Sequence, residues 1–142
     1  MRSMVIFVWM MAIFIFTCTA SFHELISSGV VRFHWDGHPR FSEFLVPYHL
    51  NGRLLLQKLG HSVVFQILTH LLLIKFKSKS TALIISASFA ALTEVLQLYF
   101  TRGGRIFDIG FDLVGVFIAI GMASLFWNNQ SKSFNVNKKP FY

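Results

Sequence analysis

Four long apolar stretches divide the chain, and polar intervals separate them. The apolar stretches cover residues 4–22, 54–74, 81–100 and 106–127. At about 1.5 Å per residue, helices of this length approach or match the roughly 30 Å hydrocarbon core of a bilayer. The pattern therefore predicts an all-α membrane protein with four transmembrane helices in one bundle.

The first apolar stretch follows Arg2 and ends near the small residues Cys18, Thr19 and Ala20. A basic start, an apolar centre and small residues at the end are also the pattern of a cleaved signal peptide. Because three further hydrophobic spans follow, we favour a retained first transmembrane helix within residues 1–22. A signal anchor and a cleaved signal peptide are the alternatives.

The longest polar interval covers residues 23–53 and predicts an extracytoplasmic loop, because its glycines and prolines interrupt it too often for a span. Its run His34-Trp35-Asp36-Gly37-His38 is the only metal-like cluster in the sequence. Two histidines and an acid in a glycine-containing loop are a weak metal signal, and solvated loop residues are the preferred interpretation. We expect no metal and no cofactor.

Basic residues between the spans predict the topology of a multi-pass cell-membrane protein. The short turn at residues 75–80 is the densest basic segment, and the tail at residues 128–142 adds three lysines. Because lysine and arginine are enriched on the cytoplasmic side, both termini are predicted to be cytoplasmic. The polar tail is expected to be disordered.

The composition agrees with a membrane protein. The 142 residues are 54% hydrophobic and only 13% charged, too apolar for an ordinary soluble domain. The net charge of +7 comes from residues scattered between apolar runs, so no nucleic-acid partner is expected. The single cysteine excludes an intramolecular disulfide.

Ionisable residues concentrate where three spans begin or end on one side of the membrane. Half of the six carboxylates lie there, and a charge inside a bilayer is unfavourable unless it is paired or used. The pattern predicts a polar, partly buried pocket in the outer leaflet. Its expected residues are Lys58, His61, Glu94, Gln97, Arg102, Arg105, Asp108 and Asp112.

Small residues recur at helical spacing beneath these acids. Ala87, Ala90 and Ala91 form one seam in the third span, and a second seam in the fourth span contains Gly115, Ala119 and Ala123. Small residues allow close helix packing in membranes. We therefore expect the two seams to face each other.

The charged motifs occur in an order that resembles the VanZ family of small membrane proteins. The resemblance covers about residues 54–121 and rests on Lys58-Leu59-Gly60-His61, Phe65, Glu94-Val95-Leu96-Gln97, Arg102, Asp108 and Gly115. The chain departs from the family pattern at Gln57, where an aspartate is usual, and at Asp112, where an asparagine is usual.

The resemblance implies a polytopic protein of the cell envelope, with a VanZ-like three-helix region at residues 54–127. The family is named for a member linked to resistance against teicoplanin, so an effect on glycopeptide susceptibility is an expectation. No biochemical activity follows from the resemblance.

Three hypotheses about function remain open, and the preferred one is binding of a polar or anionic headgroup. The expected partners are membrane lipids, including a lipid-linked envelope precursor or a glycolipid, with Lys58, Arg102 and Arg105 holding the anionic groups. One alternative is an intramembrane hydrolase or transferase using Glu94 or His61. The other is a structural accessory subunit. No catalytic residue is assigned.

Overall fold

The computed structural model describes residues 1–39, 41–46 and 52–136, and these residues are helices and their connections. None of the described residues forms a strand, so the predicted all-α fold is confirmed. In chain order, the elements are α1 (Arg2–Cys18), α2 (Phe22–Ser28), a 3₁₀ helix (Phe41–Leu45), α3 (Gly52–Phe76), α4 (Lys79–Tyr99) and α5 (Ile106–Val136).

Three of these helices contain segments long and apolar enough to cross a membrane, rather than the four expected. They are Leu54–Phe76, Lys79–Tyr99 and Ile106–Trp127. Helix α1 has 17 residues, which corresponds to about 26 Å and is shorter than the hydrocarbon core. The all-α membrane bundle is confirmed by these three long apolar helices, and α1 packs against α3 and α4.

Helix α1 joins the core through residues along its length. Ile13 is 2% exposed and belongs with Ile6 to the same buried cluster as Phe65 of α3. The indole Nε1 of Trp9 donates a hydrogen bond to the carbonyl oxygen of Val64 at 3.1 Å. This contact satisfies a polar group that would otherwise face an apolar environment.

Hydrogen bonds also join the three longer helices. The hydroxyls of Thr69 on α3 and Ser86 on α4 lie 2.9 Å apart, and both residues are fully buried. The Ser62 hydroxyl on α3 donates to the carbonyl oxygen of Phe111 on α5. Lipid gives little hydrophobic drive for helix association, so close packing and such polar contacts hold a membrane bundle together.

The small-residue seam of the fourth span does not face α4 along its whole length as expected. At Gly115, α5 lies so close to α3 that an added Cβ would overlap the carbonyl oxygen of Ser62. The glycine therefore permits the α3–α5 approach. The residue spacing identified a packing face, but the partner of that face depends on how the helices are rotated in the bundle.

The interval expected to be a loop contains short helices. The Ser21 hydroxyl accepts a hydrogen bond from the backbone N–H of Glu24 and caps α2. The helix ends at Ser28, and Gly29 follows it with φ of 66°. A helix start capped by serine and a left-handed glycine at its end are common terminal signals. Residues 40 and 47–51 lie outside the described part of the chain.

The segment after α2 lies across the ends of α1 and α4. The backbone N–H of Ala20 donates to the carbonyl oxygen of Arg32, and the N–H of Asp36 donates to that of Tyr99, both at 2.7 Å. The Trp35 ring stacks on the Tyr99 ring at 5.1 Å between centroids. These contacts attach the interval to the same end of the bundle as the predicted pocket.

Helix α5 extends beyond the apolar span and ends at Val136. The expectation of a disordered tail is therefore wrong for residues 128–136. The remaining tail residues, 137–142, lie outside the described part of the chain.

Candidate functional site

The predicted pocket residues come from the start of α3, the end of α4, the following turn and the start of α5. Because α4 runs opposite to α3 and α5, these segments meet at one end of the bundle. Hydrogen bonds, ion pairs and a shared cavity wall bring the eight predicted residues into one polar region. We call this region the polar site; it consists of Lys58, His61, Glu94, Gln97, Arg102, Arg105, Asp108 and Asp112.

A buried ion pair joins α3 to α5 in the polar site. The Lys58 ammonium donates a short hydrogen bond to Oδ2 of Asp108, and the two side chains are 8% and 4% exposed. Each charge therefore has an opposite charge in direct contact. Such a pair fixes the relative position of two helices, because separating it would leave a charge in an apolar environment.

Glu94 is fully buried near the end of α4 and is held through both carboxylate oxygens. Its Oε1 accepts a hydrogen bond from Nε2 of Gln97 at 2.8 Å, and its Oε2 accepts one from the backbone N–H of Arg105 at 2.9 Å. Gln97 is three residues later and so lies on the same helical face. The carboxylate is thus fixed by its own helix and by the next turn.

Two glycines allow this turn to reach Glu94. Gly103 has φ of 68°, a conformation that side chains disfavour. At Gly104 the backbone is so close to α4 that an added Cβ would overlap the carbonyl oxygen of Glu94. The glycine pair therefore positions the donor N–H of Arg105, a role more specific than the tight bend that the sequence indicates.

His61 and Asp112 form a second contact between α3 and α5. Nδ1 of His61 lies 3.6 Å from Oδ1 of Asp112, whose side chain is 0% exposed. The separation exceeds the 2.7–3.2 Å of an N–H···O hydrogen bond. Glu94 lies beside this pair, and one potential ligand atom from each of the three residues falls within 4.8 Å of the others.

Two neighbouring cavities open beside the polar site. The smaller, of about 290 Å³, is lined by Leu54, Gln57, Lys58, Gln97, Arg102, Gly103, Arg105 and Asp108. The larger, of about 630 Å³, is lined by Ile13, Phe16, Thr17, Leu56, Gln57, Gly60, His61, Val64 and Arg102. We call them the polar cavity and the apolar cavity. Gln57 and Arg102 line both.

Arg102 differs from the other predicted residues because its guanidinium turns toward the end of α1. One of its terminal nitrogens donates to the carbonyl oxygen of Ala20 at 3.3 Å. Its Nε is buried without a hydrogen-bond partner among the described residues. This position puts Arg102 at the boundary between the two cavities.

The sequence did not indicate several residues that shape the site. Ile13, Phe16 and Thr17 of α1 line the apolar cavity, and nothing in their pattern says which helix they face. Ser62 was detectable only as a small polar residue inside an apolar run. Gly104 was noticed as a turn residue, but its contact with Glu94 requires the folded backbone.

The run His34-Trp35-Asp36-Gly37-His38 in the polar interval forms a turn. Oδ1 of Asp36 accepts a hydrogen bond from the backbone N–H of His38 at 2.9 Å. An aspartate that bonds to the backbone two residues later is typical of a turn. His34 and His38 are exposed, which fits the preferred interpretation of solvated loop residues.

Comparisons with known proteins cover more of the chain than the motif resemblance. The VanZ/LLP1 family model matches residues 3–127. The uncharacterized membrane protein YwnJ of Bacillus subtilis (strain 168) is 38% identical over 117 residues, which are 80% of this chain and 84% of that protein. No solved structure matches. The match includes α1 and the polar interval as well as the three long helices, and the chain belongs to the VanZ/LLP1 family.

Proposed function

We propose that the protein binds an amphiphile that has an anionic headgroup, with the headgroup in the polar cavity and the apolar part in the apolar cavity. The observation that carries this proposal is that the two cavities adjoin and share Gln57 and Arg102. A ligand that extends from one cavity into the other would have one charged end and one hydrocarbon end. Membrane lipids have this chemistry.

The charges around the polar cavity favour an anion. Three cationic side chains line it, from Lys58, Arg102 and Arg105, together with one acid, Asp108. Arginine presents paired N–H donors to phosphate or carboxylate oxygens, and such charge-assisted hydrogen bonds are stronger than neutral ones. Gln57 and Gln97 supply further polar groups for a phosphate or a sugar.

The apolar cavity has the lining expected for a hydrocarbon chain. Ile13 and Phe16 of α1 lie on one side of it, and Leu56 and Val64 of α3 lie on the other. Its volume of about 630 Å³ is within the range of small-molecule pockets, roughly 300–1,000 Å³. A single acyl or isoprenoid chain would cover these side chains at the edge of the bundle.

The other two hypotheses explain less of this arrangement. Glu94 has no exposed surface and both of its oxygens are bonded, so it is better suited to holding the turn than to meeting a substrate as a base. A purely structural network would account for the Lys58–Asp108 pair. It would not require two adjoining cavities with opposite polarity.

Lipids that copurify with the protein test the proposal. The protein is purified in a mild detergent, and bound lipids are identified by native mass spectrometry for the wild type and for Arg102→Ala. We expect a bound anionic lipid in the wild type and at least about a tenfold loss of its occupancy in the variant, because a charge-assisted hydrogen bond contributes roughly 1.5–3 kcal/mol.

The matched control is Lys75→Ala, which removes an exposed cation in the last turn of α3, at the other end of the bundle. It should keep wild-type lipid occupancy. Equal lipid occupancy in the wild type and Arg102→Ala, or a wild type that carries only neutral lipids, would contradict the proposal.

We further propose that the polar site lies in the outer leaflet and that both termini are cytoplasmic. Lys75 at the end of α3, Lys77 in the following turn and Lys79 at the start of α4 support this orientation. Reporter fusions after Lys79 and after residue 136 should report a cytoplasmic location at both points. An external signal at either point would reverse the assignment and move the headgroup to the inner leaflet.

An outer-leaflet site would suit a lipid-linked envelope precursor or a glycolipid, and an effect on teicoplanin susceptibility is part of this proposal. The measurement is the minimum inhibitory concentration of teicoplanin in a Gram-positive host that expresses the wild type, Arg102→Ala or Lys75→Ala. The wild type and the control should raise it equally, and Arg102→Ala should not. An unchanged value with the wild type would remove the precursor from the proposal without affecting lipid binding.

A further inference from the structure

We propose that His61, Glu94 and Asp112 bind a divalent transition-metal ion of the zinc class. This site adds to the proposed lipid function and does not depend on it. The three residues come from three different helices, and one potential ligand atom from each lies within 4.8 Å of the others. No metal was expected from the sequence, in which these residues lie 33 and 18 positions apart.

The carboxylate of Asp112 is the observation that points to a ligand. Its side chain is 0% exposed, and neither of its oxygens accepts a hydrogen bond from any residue that the structure describes. Nδ1 of His61, which faces it, is likewise buried and unbonded within the described chain. Buried polar atoms are nearly always satisfied, so two unsatisfied partners that face each other require an explanation.

The distance between these two groups suits two ligands of one metal ion. Zinc binds histidine nitrogen and carboxylate oxygen at about 2.0–2.2 Å, and tetrahedral bonds of that length hold the two ligand atoms about 3.4 Å apart. The observed separation of Nδ1 and Oδ1 is 3.6 Å. A direct hydrogen bond would bring them closer.

Hydrogen bonds hold the Glu94 carboxylate in a position suited to a third metal ligand. Gln97 and the backbone N–H of Arg105 each donate to one of its oxygens, and a carboxylate oxygen can accept a second bond through its other lone pair. Hydrogen bonds of this kind orient the carboxylates that bind metals. The fixed position of Glu94 is therefore compatible with metal binding.

The charge balance supports a divalent ion. Metal ligands bind in their deprotonated forms, and one imidazole with two carboxylates would then carry a charge of −2. A divalent cation compensates that charge inside the bundle, where uncompensated charge is strongly unfavourable. One imidazole and two carboxylates suit zinc better than magnesium or calcium, which prefer oxygen alone. Three protein ligands leave a fourth position for water or a ligand oxygen, and His61 also lines the apolar cavity.

Zinc binding can be measured on the full chain in detergent, purified without a polyhistidine tag and stripped with a chelator. After zinc is added back and the excess is removed, we expect about one zinc ion per chain by elemental analysis. We also expect a higher unfolding temperature than that of the stripped protein. Magnesium and calcium should produce neither effect. His61→Ala and Asp112→Asn should weaken zinc binding by at least about 100-fold, since loss of an outer-shell partner alone weakens metal sites by 10–100-fold.

Two controls separate this site from other histidines. His70→Ala removes an imidazole from the same helix α3, outside the cluster. The double variant His34→Ala/His38→Ala removes the imidazoles of the polar interval. Both controls should bind zinc as the wild type does.

X-ray absorption at the zinc edge of the wild-type protein provides a test that needs no variant. It should show nitrogen and oxygen ligands with one imidazole. A wild type that binds no zinc, a spectrum with sulfur or several imidazoles, or undiminished binding by both His61→Ala and Asp112→Asn would overturn the proposal. Lipid occupancy is measured separately, so either proposal can fail while the other stands.

Discussion

The backbone N–H of Arg105 donates a hydrogen bond of 2.9 Å to the buried carboxylate of Glu94, which lies in the preceding helix. The bond ties the α4–α5 turn to the centre of the polar site. It also means that Arg105 contributes to this site through its main chain as well as through the side chain that lines the polar cavity. The geometry of the turn and the position of the acid therefore depend on each other.

Gly104→Ala should destabilise the protein because its new Cβ would overlap the carbonyl oxygen of Glu94. Backbone atoms cannot move aside cheaply, and forcing an extra carbon into a packed site typically costs about 1–3 kcal/mol. The measurement is the unfolding temperature in detergent. Gly110→Ala is the control, since an added Cβ at Gly110 meets nothing within 4 Å. An equal unfolding temperature for Gly104→Ala and wild type would contradict the described turn.

Lys58 and Asp108 should show strong energetic coupling. Lys58→Met and Asp108→Asn each remove one partner of the buried pair, and the charge left behind lowers the free energy of unfolding by about 3–5 kcal/mol. The double variant should lose clearly less than the two single losses together, because neither charge is then left alone. Denaturant unfolding of the four proteins measures the coupling.

The control for this cycle is Lys75→Met, which removes an exposed lysine and should change stability little. Additive losses in the Lys58→Met/Asp108→Asn protein would mean that the two side chains do not form a pair in the membrane bundle. Protein levels in the membrane give a second test of the pair in cells. If both single variants are absent from the membrane and the double variant is present, the two side chains are coupled.

Gly115→Ala should disrupt the approach of α5 to α3, where an added Cβ would overlap the carbonyl oxygen of Ser62. We expect a loss of about 1–3 kcal/mol, together with faster hydrogen exchange in both helices. Gly121→Ala lies in the same helix with open space around it and should be neutral or slightly stabilising, because alanine favours helix by up to about 1 kcal/mol. Equal stability of both variants would refute the close contact.

The level of the polar residues in the bundle followed from the sequence because consecutive spans run in opposite directions. Lys58 near the start of one span, Glu94 near the end of the next and Asp108 at the start of the last must then lie near the same membrane surface. The length and spacing of the apolar spans along the sequence determine the depth of these residues in the membrane. They also gave the all-α membrane fold, which the helices confirm.

The partners of the polar residues did not follow from the sequence. The pairing of Lys58 with Asp108, and of His61 with Asp112, depends on the rotation of each helix about its axis. Rotation is set by packing between helices. Gly115 marked a packing face, but that face was expected to meet α4, and at Gly115 it meets Ser62 of α3. The boundary position of Arg102 depends on the end of α1, a helix whose neighbours no pattern in the chain identified.

The mature protein should retain α1, although the sequence of its first residues resembles a signal peptide. Ile13 is buried in the core, Trp9 donates to the carbonyl oxygen of Val64, and α1 contributes three residues to the wall of the apolar cavity. Its removal would expose these apolar surfaces of α3 and leave the Val64 carbonyl without this donor. Intact-mass measurement of protein extracted from membranes should therefore find an N-terminus before residue 5. A mature chain that begins after residue 18 would exclude α1 from the bundle and remove one wall of the proposed lipid site.

The Trp9→Phe variant tests the contact between α1 and α3 more mildly. It keeps the apolar contact but loses the hydrogen bond to the Val64 carbonyl oxygen, so it should lower the free energy of unfolding by only about 0.5–1.5 kcal/mol.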